Sequence, residues 1–142
     1  MEIITKNVIE TENAGEAFAR RLSPYTVVAM YGELGAGKTA FVRGMARGLD
    51  TQISVVSPTF TVVNEYGGKP ELFHFDMYRL ASADELFDIG WDDYLARGGI
   101  CAVEWSENVS AVFDGTEISV KIETLSDNER KITITQGQEG KK

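Results

Sequence analysis

Residues 32–39 read G-E-L-G-A-G-K-T, a complete G-x-x-x-x-G-K-[ST] loop, and this segment restricts the possible fold more than any other. Glycines at Gly32, Gly35 and Gly37 let the backbone curl so that successive N–H groups turn inward toward phosphate oxygens. The backbone of Glu33, Leu34, Gly35, Ala36 and Gly37, continued by Lys38, Thr39 and Ala40, is therefore the candidate cradle for nucleotide phosphates. Lys38 brings a cation for the β- and γ-phosphates, which makes it a catalytic candidate as well, and the Thr39 hydroxyl suits Mg²⁺. Such a loop belongs between a buried strand and a helix whose positive dipole end faces the anion. Both partners are present: residues 26–31 form an apolar run of buried-strand type, and residues 40–47 read as a helix.

A chain of 142 residues is expected to form one domain, here over residues 1–136, with a polar, disordered tail at 137–142. That leaves little room for a lid or a separate substrate domain. Hydrophobic content of 43% and charged content of 25% are those of an ordinary soluble protein. No run approaches the roughly 20 apolar residues that cross a bilayer, so no membrane association is expected. The first residues lack a basic-then-apolar leader pattern, and Cys101 is the single cysteine, both of which fit a cytoplasmic protein. The net charge of −8, with Lys and Arg scattered, argues against an independent grip on nucleic acid. Any involvement with RNA would then be indirect, through a partner that does the holding.

Residues 2–8 suggest a short strand, and Asn13 followed by Glu16 resembles a capping box that opens a helix through Leu22. Gly48 is the expected C-cap of the helix after the phosphate loop. Strand-like runs at 60–66 and 71–76, joined by Gly67-Gly68-Lys69-Pro70, form a hairpin signal. Residues 82–89 and 91–96 look helical, and 100–105 is a second apolar strand. Residues 117–124 and 131–135 alternate apolar and polar around a Ser-Asp-Asn-Glu turn, a second hairpin. The expected fold is α/β: a mixed sheet with a short parallel core, added antiparallel hairpins and flanking helices.

A phosphate loop needs an acid at a strand end to hold Mg²⁺ or to orient water. Asp76 and Glu104 both qualify, Glu104 at the end of the more apolar run and Asp76 at the end of a hairpin strand. The choice between them stays open from spacing alone, and both can serve. Ser57-Pro58-Thr59-Phe60 follows the loop helix and reads either as a γ-phosphate-sensing segment or as a proline turn. His74, between Phe73 and Phe75, reads first as a packed, hydrogen-bonded residue. Trp91 and Trp105 read as core or interface residues, and Arg79 as a phosphate ligand or a partner of Asp76. A GTPase reading is weakened because no N-K-x-D motif is present. A small kinase of nucleotides or metabolites is the alternative to an ATPase, although no acceptor-binding lid is evident.

Taken in order, G-E-L-G-A-G-K-T, S-P-T-F at 57–60, N-E-Y at 64–66, H-F-D-M-Y-R at 74–79 and V-E-W at 103–105 resemble the TsaE (YjeE) family of bacterial P-loop ATPases. These act in forming threonylcarbamoyladenosine beside the anticodon of tRNA. The resemblance implies ATP and Mg²⁺ as cofactors, with Lys38 on the β/γ-phosphates and Thr39 and Glu104 on the metal. It further implies Asp76 in support of hydrolysis, Thr59 in a nucleotide-responsive loop, and Thr11 and Arg130 as matching candidates for contact with the base. It implies TsaD and TsaB as partners, with TsaD carrying the transfer chemistry and engaging tRNA, and ATP turnover that is weak alone and stimulated by them. One departure stands out: the family often has proline after E-W, where this chain has Ser106.

Overall fold

The computed structural model describes residues 1–33, 36–51, 63–77, 80 and 82–137. Seven strands of the described residues form one sheet: β1 (Glu2–Thr5), β2 (Val27–Tyr31), β3 (Val63–Glu65), β4 (Leu72–Asp76), β5 (Ile100–Glu104), β6 (Ile118–Thr124) and β7 (Arg130–Thr135). Their spatial order is β1-β7-β6-β2-β5-β4-β3, which puts the strand leading into the phosphate loop in the middle. β6, β2, β5 and β4 run parallel, while β3 pairs antiparallel with β4, and β7 with β6 and β1. The parallel core and both hairpins thus agree with the sequence reading. The chain leaves β2 toward β4 and β5 on one side and returns to β6 on the other. Open α/β sheets bind ligands at the C-terminal strand ends of such a reversal.

Among the described residues four helices cover the sheet: α1 (Val8–Ala19), α2 (Lys38–Gly48), α3 (Ala83–Asp88) and α4 (Trp91–Ala96), with a 3-10 helix over Ser106–Val112. Period-two alternation sorts the strand side chains onto two faces. Val28, Met30, Leu72, Ile100, Ala102, Val120 and Ile122 pack with Phe18, Phe41 and Met45 under α1 and α2. Phe73, Phe75, Cys101 and Val103 pack on the opposite face with Leu86, Trp91 and Val109. Trp91 is a core residue, its ring edge-on to Phe75 at 5.1 Å between centroids. No described helix is long and apolar enough to cross a membrane.

Four boundaries differ from the sequence expectations. β1 stops at Thr5 and α1 starts six residues earlier than the Asn13 capping box suggested, because Asn7 and Glu10 form the cap that is used. The Asn7 side chain accepts from the Glu10 N–H at 2.9 Å, and the Glu10 carboxylate accepts from the Lys6 N–H at 2.9 Å. The helix ends at Ala19, short of Leu22. Gly48 is the last residue inside α2 and no C-cap; Leu49 caps the helix, and Asp50 takes the left-handed conformation after it. Gly48 is small for another reason, since a Cβ there would lie 2.6 Å from the Glu16 carbonyl oxygen of α1. At Gly44 a Cβ would come within 1.9 Å of the Glu12 carbonyl oxygen, so the two helices touch backbone to backbone. Arg43 and Arg47 close the exposed seam with ion pairs to Glu12 and Glu16.

Candidate phosphate-binding site

β2 delivers the chain to the loop, and Gly37 turns it into α2. Gly37 has φ of 100° and ψ of 15°, a left-handed conformation that glycine adopts freely. α1 is capped by the Asn7 side chain and carries Glu10 in its first turn. Among the described residues α2 has neither a side-chain cap nor an acid in its first turn, so its positive end suits an external anion. Leu34 and Gly35 lie outside the described residues, while Glu33, Ala36, Gly37, Lys38, Thr39 and Ala40 frame the loop on either side of them.

Lys38 is the first residue of α2 and only 5% exposed. Its Nζ donates to the Gly32 carbonyl at 2.6 Å and sits 4.0 Å from the centroid of the Trp105 ring. Burial pushes the ammonium below its ordinary pKa, and the charges of Glu104, Glu107 and Asp76 pull it back up. Negative charge of this kind beside a phosphate loop suits a divalent metal.

Both strand-end acids arrive on the α2 face. Leu72, His74 and Asp76 alternate along β4, as Ile100, Ala102 and Glu104 do along β5, and Asp76 stands opposite Glu104 in register. The two acids between which the sequence left the choice open are thus neighbours. Glu104 is buried and Asp76 half-buried. His74, fully buried, bonds Glu104 Oε2 through Nε2 and Tyr66 Oη through Nδ1, the latter at 3.2 Å. Among the described residues no three His, Cys, Asp or Glu side chains converge on one point. Mg²⁺ commonly needs only one or two protein oxygens, because substrate phosphates and water complete its shell. Thr39 and Glu104 are donors of that kind, and the site fits the ion on its chemistry.

The turn after β5 completes this wall. Trp105 has φ of 58°, uncommon for a bulky side chain, and the Ser106 hydroxyl donates to the Val103 carbonyl at 2.7 Å. Ser106 is fully buried, and its hydrogen bond ties the turn. Asn108 donates to the Met77 carbonyl at 2.9 Å, and the Met77 N–H to the Glu104 carbonyl at 3.1 Å, joining the ends of β4 and β5 to the 3-10 helix. Glu107, exposed in this turn, acts on Lys38 through its charge. It carries no motif, and its place depends on the left-handed step at Trp105.

On the other side of the loop, Arg130 donates through Nε to the Ala36 carbonyl at 3.0 Å and through Nη1 to the carbonyls of Ser126 and Glu129, each at 2.9 Å. The Thr11 hydroxyl shares a 2.7 Å hydrogen bond with Thr5, and a Cβ built on Gly37 would sit 3.8 Å from both the Thr11 methyl and Arg130 Nε. Thr11, Gly37, Ala40 and Arg130 line one small notch of about 50 Å³ with Val8, Asp127 and Asn128. The structure therefore brings the two base-contact candidates together beside the loop. Thr59, the rest of S-P-T-F, Tyr78 and Arg79 lie outside the described residues, as do residues 138–142 of the expected tail. Gly137, taken with that tail, is described and abuts the backbone of Thr116 and Glu117.

A middle parallel strand, a glycine-rich loop and a helix with an uncapped N-terminus, flanked by acids on neighbouring strand ends, define a P-loop nucleotide-binding protein. The profile described as "Threonylcarbamoyl adenosine biosynthesis protein TsaE" matches residues 5–132, and the chain belongs to that family. It is 37% identical over 134 residues to the tRNA threonylcarbamoyladenosine biosynthesis protein TsaE of Treponema pallidum, covering 94% of this chain and 99% of that protein. The Bacillus subtilis protein of the same name is 39% identical over 132 residues, 92% of this chain and 82% of its own length. The crystal structure of Bacillus subtilis YdiB superposes with a TM-score of 0.80 at 32% identity, covering 97% of this chain and 86% of that one.

Proposed function

We propose that this chain is a cytoplasmic, Mg²⁺-dependent ATPase serving threonylcarbamoyladenosine formation on tRNA, slow alone and accelerated by a TsaB–TsaD complex. The observation that carries the reading is the ammonium of Lys38, buried at the phosphate loop with the charges of Glu104, Asp76 and Glu107 acting on it. The relatives' name supplies the pathway.

In this reading the triphosphate lies on the loop, and Lys38 exchanges the Gly32 carbonyl for β- and γ-phosphate oxygens. The loop N–H groups and the open end of α2 bind the same phosphates. Thr39 and Glu104 hold Mg²⁺, which when bound neutralises charge developing on the phosphates. Asp76 orients the attacking water, Thr11 and Arg130 border the base, and Thr59 belongs to the segment that responds to the nucleotide. The chain's net charge of −8 leaves tRNA to the partner complex.

ATP hydrolysis by the purified chain, with and without TsaB–TsaD, tests this. Slow basal turnover that rises with the complex and disappears in Lys38→Ala is expected. Fast turnover indifferent to partners, or phosphoryl transfer to a nucleoside or metabolite, overturns it.

A further inference from the structure

The N-E-Y segment at 64–66 and His74 have no part in the scheme above, yet they form a continuous hydrogen-bonded chain that ends on Glu104. Asn64 Nδ2 lies 3.3 Å from Tyr66 Oη, Tyr66 Oη lies 3.2 Å from His74 Nδ1, and His74 Nε2 meets Glu104 Oε2. Tyr66 is 3% exposed, His74 fully buried and Glu104 5% exposed. Strand register explains the meeting. Asn64 pairs with His74 across β3 and β4, His74 pairs with Ala102 across β4 and β5, and Glu104 follows two residues later on the same face. The small Ala102 side chain leaves room for the imidazole to reach past it.

We propose that His74, itself held by Tyr66, is the positioning residue that fixes the Glu104 carboxylate for Mg²⁺. The donors and acceptors close in one direction. With a carboxylate at Glu104 and a neutral imidazole, Nε2 donates to Glu104 and Nδ1 accepts from the Tyr66 hydroxyl, whose oxygen accepts from the Asn64 amide. Holding Oε2 fixes the rotation of the whole carboxylate, including the oxygen left for the metal. Outer-shell partners of this kind are worth about 10–100-fold in metal affinity. The sheet supplies much of the stiffness: Asn64, His74 and Glu104 lie in β3, β4 and β5, and Tyr66 follows β3 directly, its N–H donating to the Leu72 carbonyl at 3.0 Å.

The proposal rests on Glu104 as the metal-associated acid, and the experiment separates the two. Binding of a fluorescent ATP analogue is measured as Mg²⁺ is titrated, and again in EDTA, for wild type and for Glu104→Gln, His74→Leu, His74→Gln and Tyr66→Phe. His74→Leu should raise the Mg²⁺ concentration for half-maximal enhancement about 10–100-fold. Tyr66→Phe, which removes a single oxygen, should raise it about 2–10-fold, the worth of one ordinary hydrogen bond. His74→Gln, which keeps an amide donor near the position of Nε2, should recover part of the loss. Affinity in EDTA should stay at the wild-type value in the His74 and Tyr66 variants. Unchanged Mg²⁺ dependence in Tyr66→Phe and the His74 variants, beside a shift in Glu104→Gln, overturns the positioning role alone. An unshifted Glu104→Gln overturns the metal assignment and the positioning role with it. If His74→Leu does not fold, Tyr66→Phe and His74→Gln decide. Equal losses with Mg²⁺ and in EDTA assign the chain to stability and overturn the proposal.

Discussion

Asp76 and Glu104 stand opposite one another as register partners at the C-terminal ends of β4 and β5, two acids on the α2 face of neighbouring parallel strands. Their surroundings differ. Glu104 is buried and bound to His74, whereas Asp76 is half-buried at the mouth of the site. A fixed carboxylate suits a metal, and a more exposed one suits a water molecule that must come and go. Asp76→Asn should keep Mg²⁺-dependent nucleotide binding and slow single-turnover hydrolysis by roughly 10²–10⁴-fold, the range for a positioned acid–base group. Glu104→Gln should lose the Mg²⁺ enhancement of binding itself. If the two phenotypes are exchanged in parallel binding and turnover assays, the assignments must be exchanged as well.

The residues that carry local signals were legible without coordinates. The loop, its flanking strand and helix, both hairpins and the two strand-end acids each have a pattern within about twenty residues. What depended on distant pairing was not. Asn7–Glu10 and Asn13–Glu16 offer the same N-x-x-E cap, and only packing selects the first, which sets Thr11, Gly15 and Phe18 into the buried side of α1. β6 lies parallel to β2, so its hairpin adjoins the phosphate loop, a placement no local pattern encodes. The two phenylalanines beside His74 marked it as a packed residue, and it is one. Its partners lie 8 and 30 residues away, and sheet register alone brings them to its ring.

The close contact of α1 and α2 makes Gly44 a sensitive position. Within a helix, alanine in place of glycine normally gains about 1 kcal/mol. Here the new Cβ would lie 1.9 Å from a carbonyl oxygen of the neighbouring backbone, which cannot rotate away as a side chain can. The helices must separate, at a cost of about 1–3 kcal/mol for overpacking, so Gly44→Ala should be destabilising despite its better propensity. The midpoint of urea unfolding measures this, and an increase would show that the helices separate without penalty. Because α1 carries Thr11 to the edge of Gly37, nucleotide affinity should fall with stability.

Cys101 in β5 is buried, and desolvation pushes its thiol up to about 12. Reaction needs the thiolate. Ellman's reagent at pH 8 should therefore leave the native protein unlabelled and react with one thiol per chain once urea unfolds it. The linkage has a definite sign. The folded value is raised above the unfolded one, so the contribution to stability is fully present below the unfolded value and is lost as pH rises toward 12. Rapid labelling under native conditions would mean that β5 opens far more readily than a strand paired on both sides should.

Lys38 Nζ rests over the Trp105 ring, while Trp91 is packed in the core on the opposite face of the sheet. When phosphate oxygens replace the Gly32 carbonyl as acceptor of Lys38, the ammonium shifts relative to the indole. A cation at this range interacts with the ring by about 0.5–2 kcal/mol, enough to alter its emission as the distance changes. Addition of a non-hydrolysable ATP analogue with Mg²⁺ should therefore change tryptophan fluorescence in the wild-type protein. Trp105→Phe should abolish the change while retaining the emission of Trp91, and Lys38→Met should remove the response together with the binding. A full response in Trp105→Phe would place its origin at Trp91 and require the nucleotide to act across the sheet.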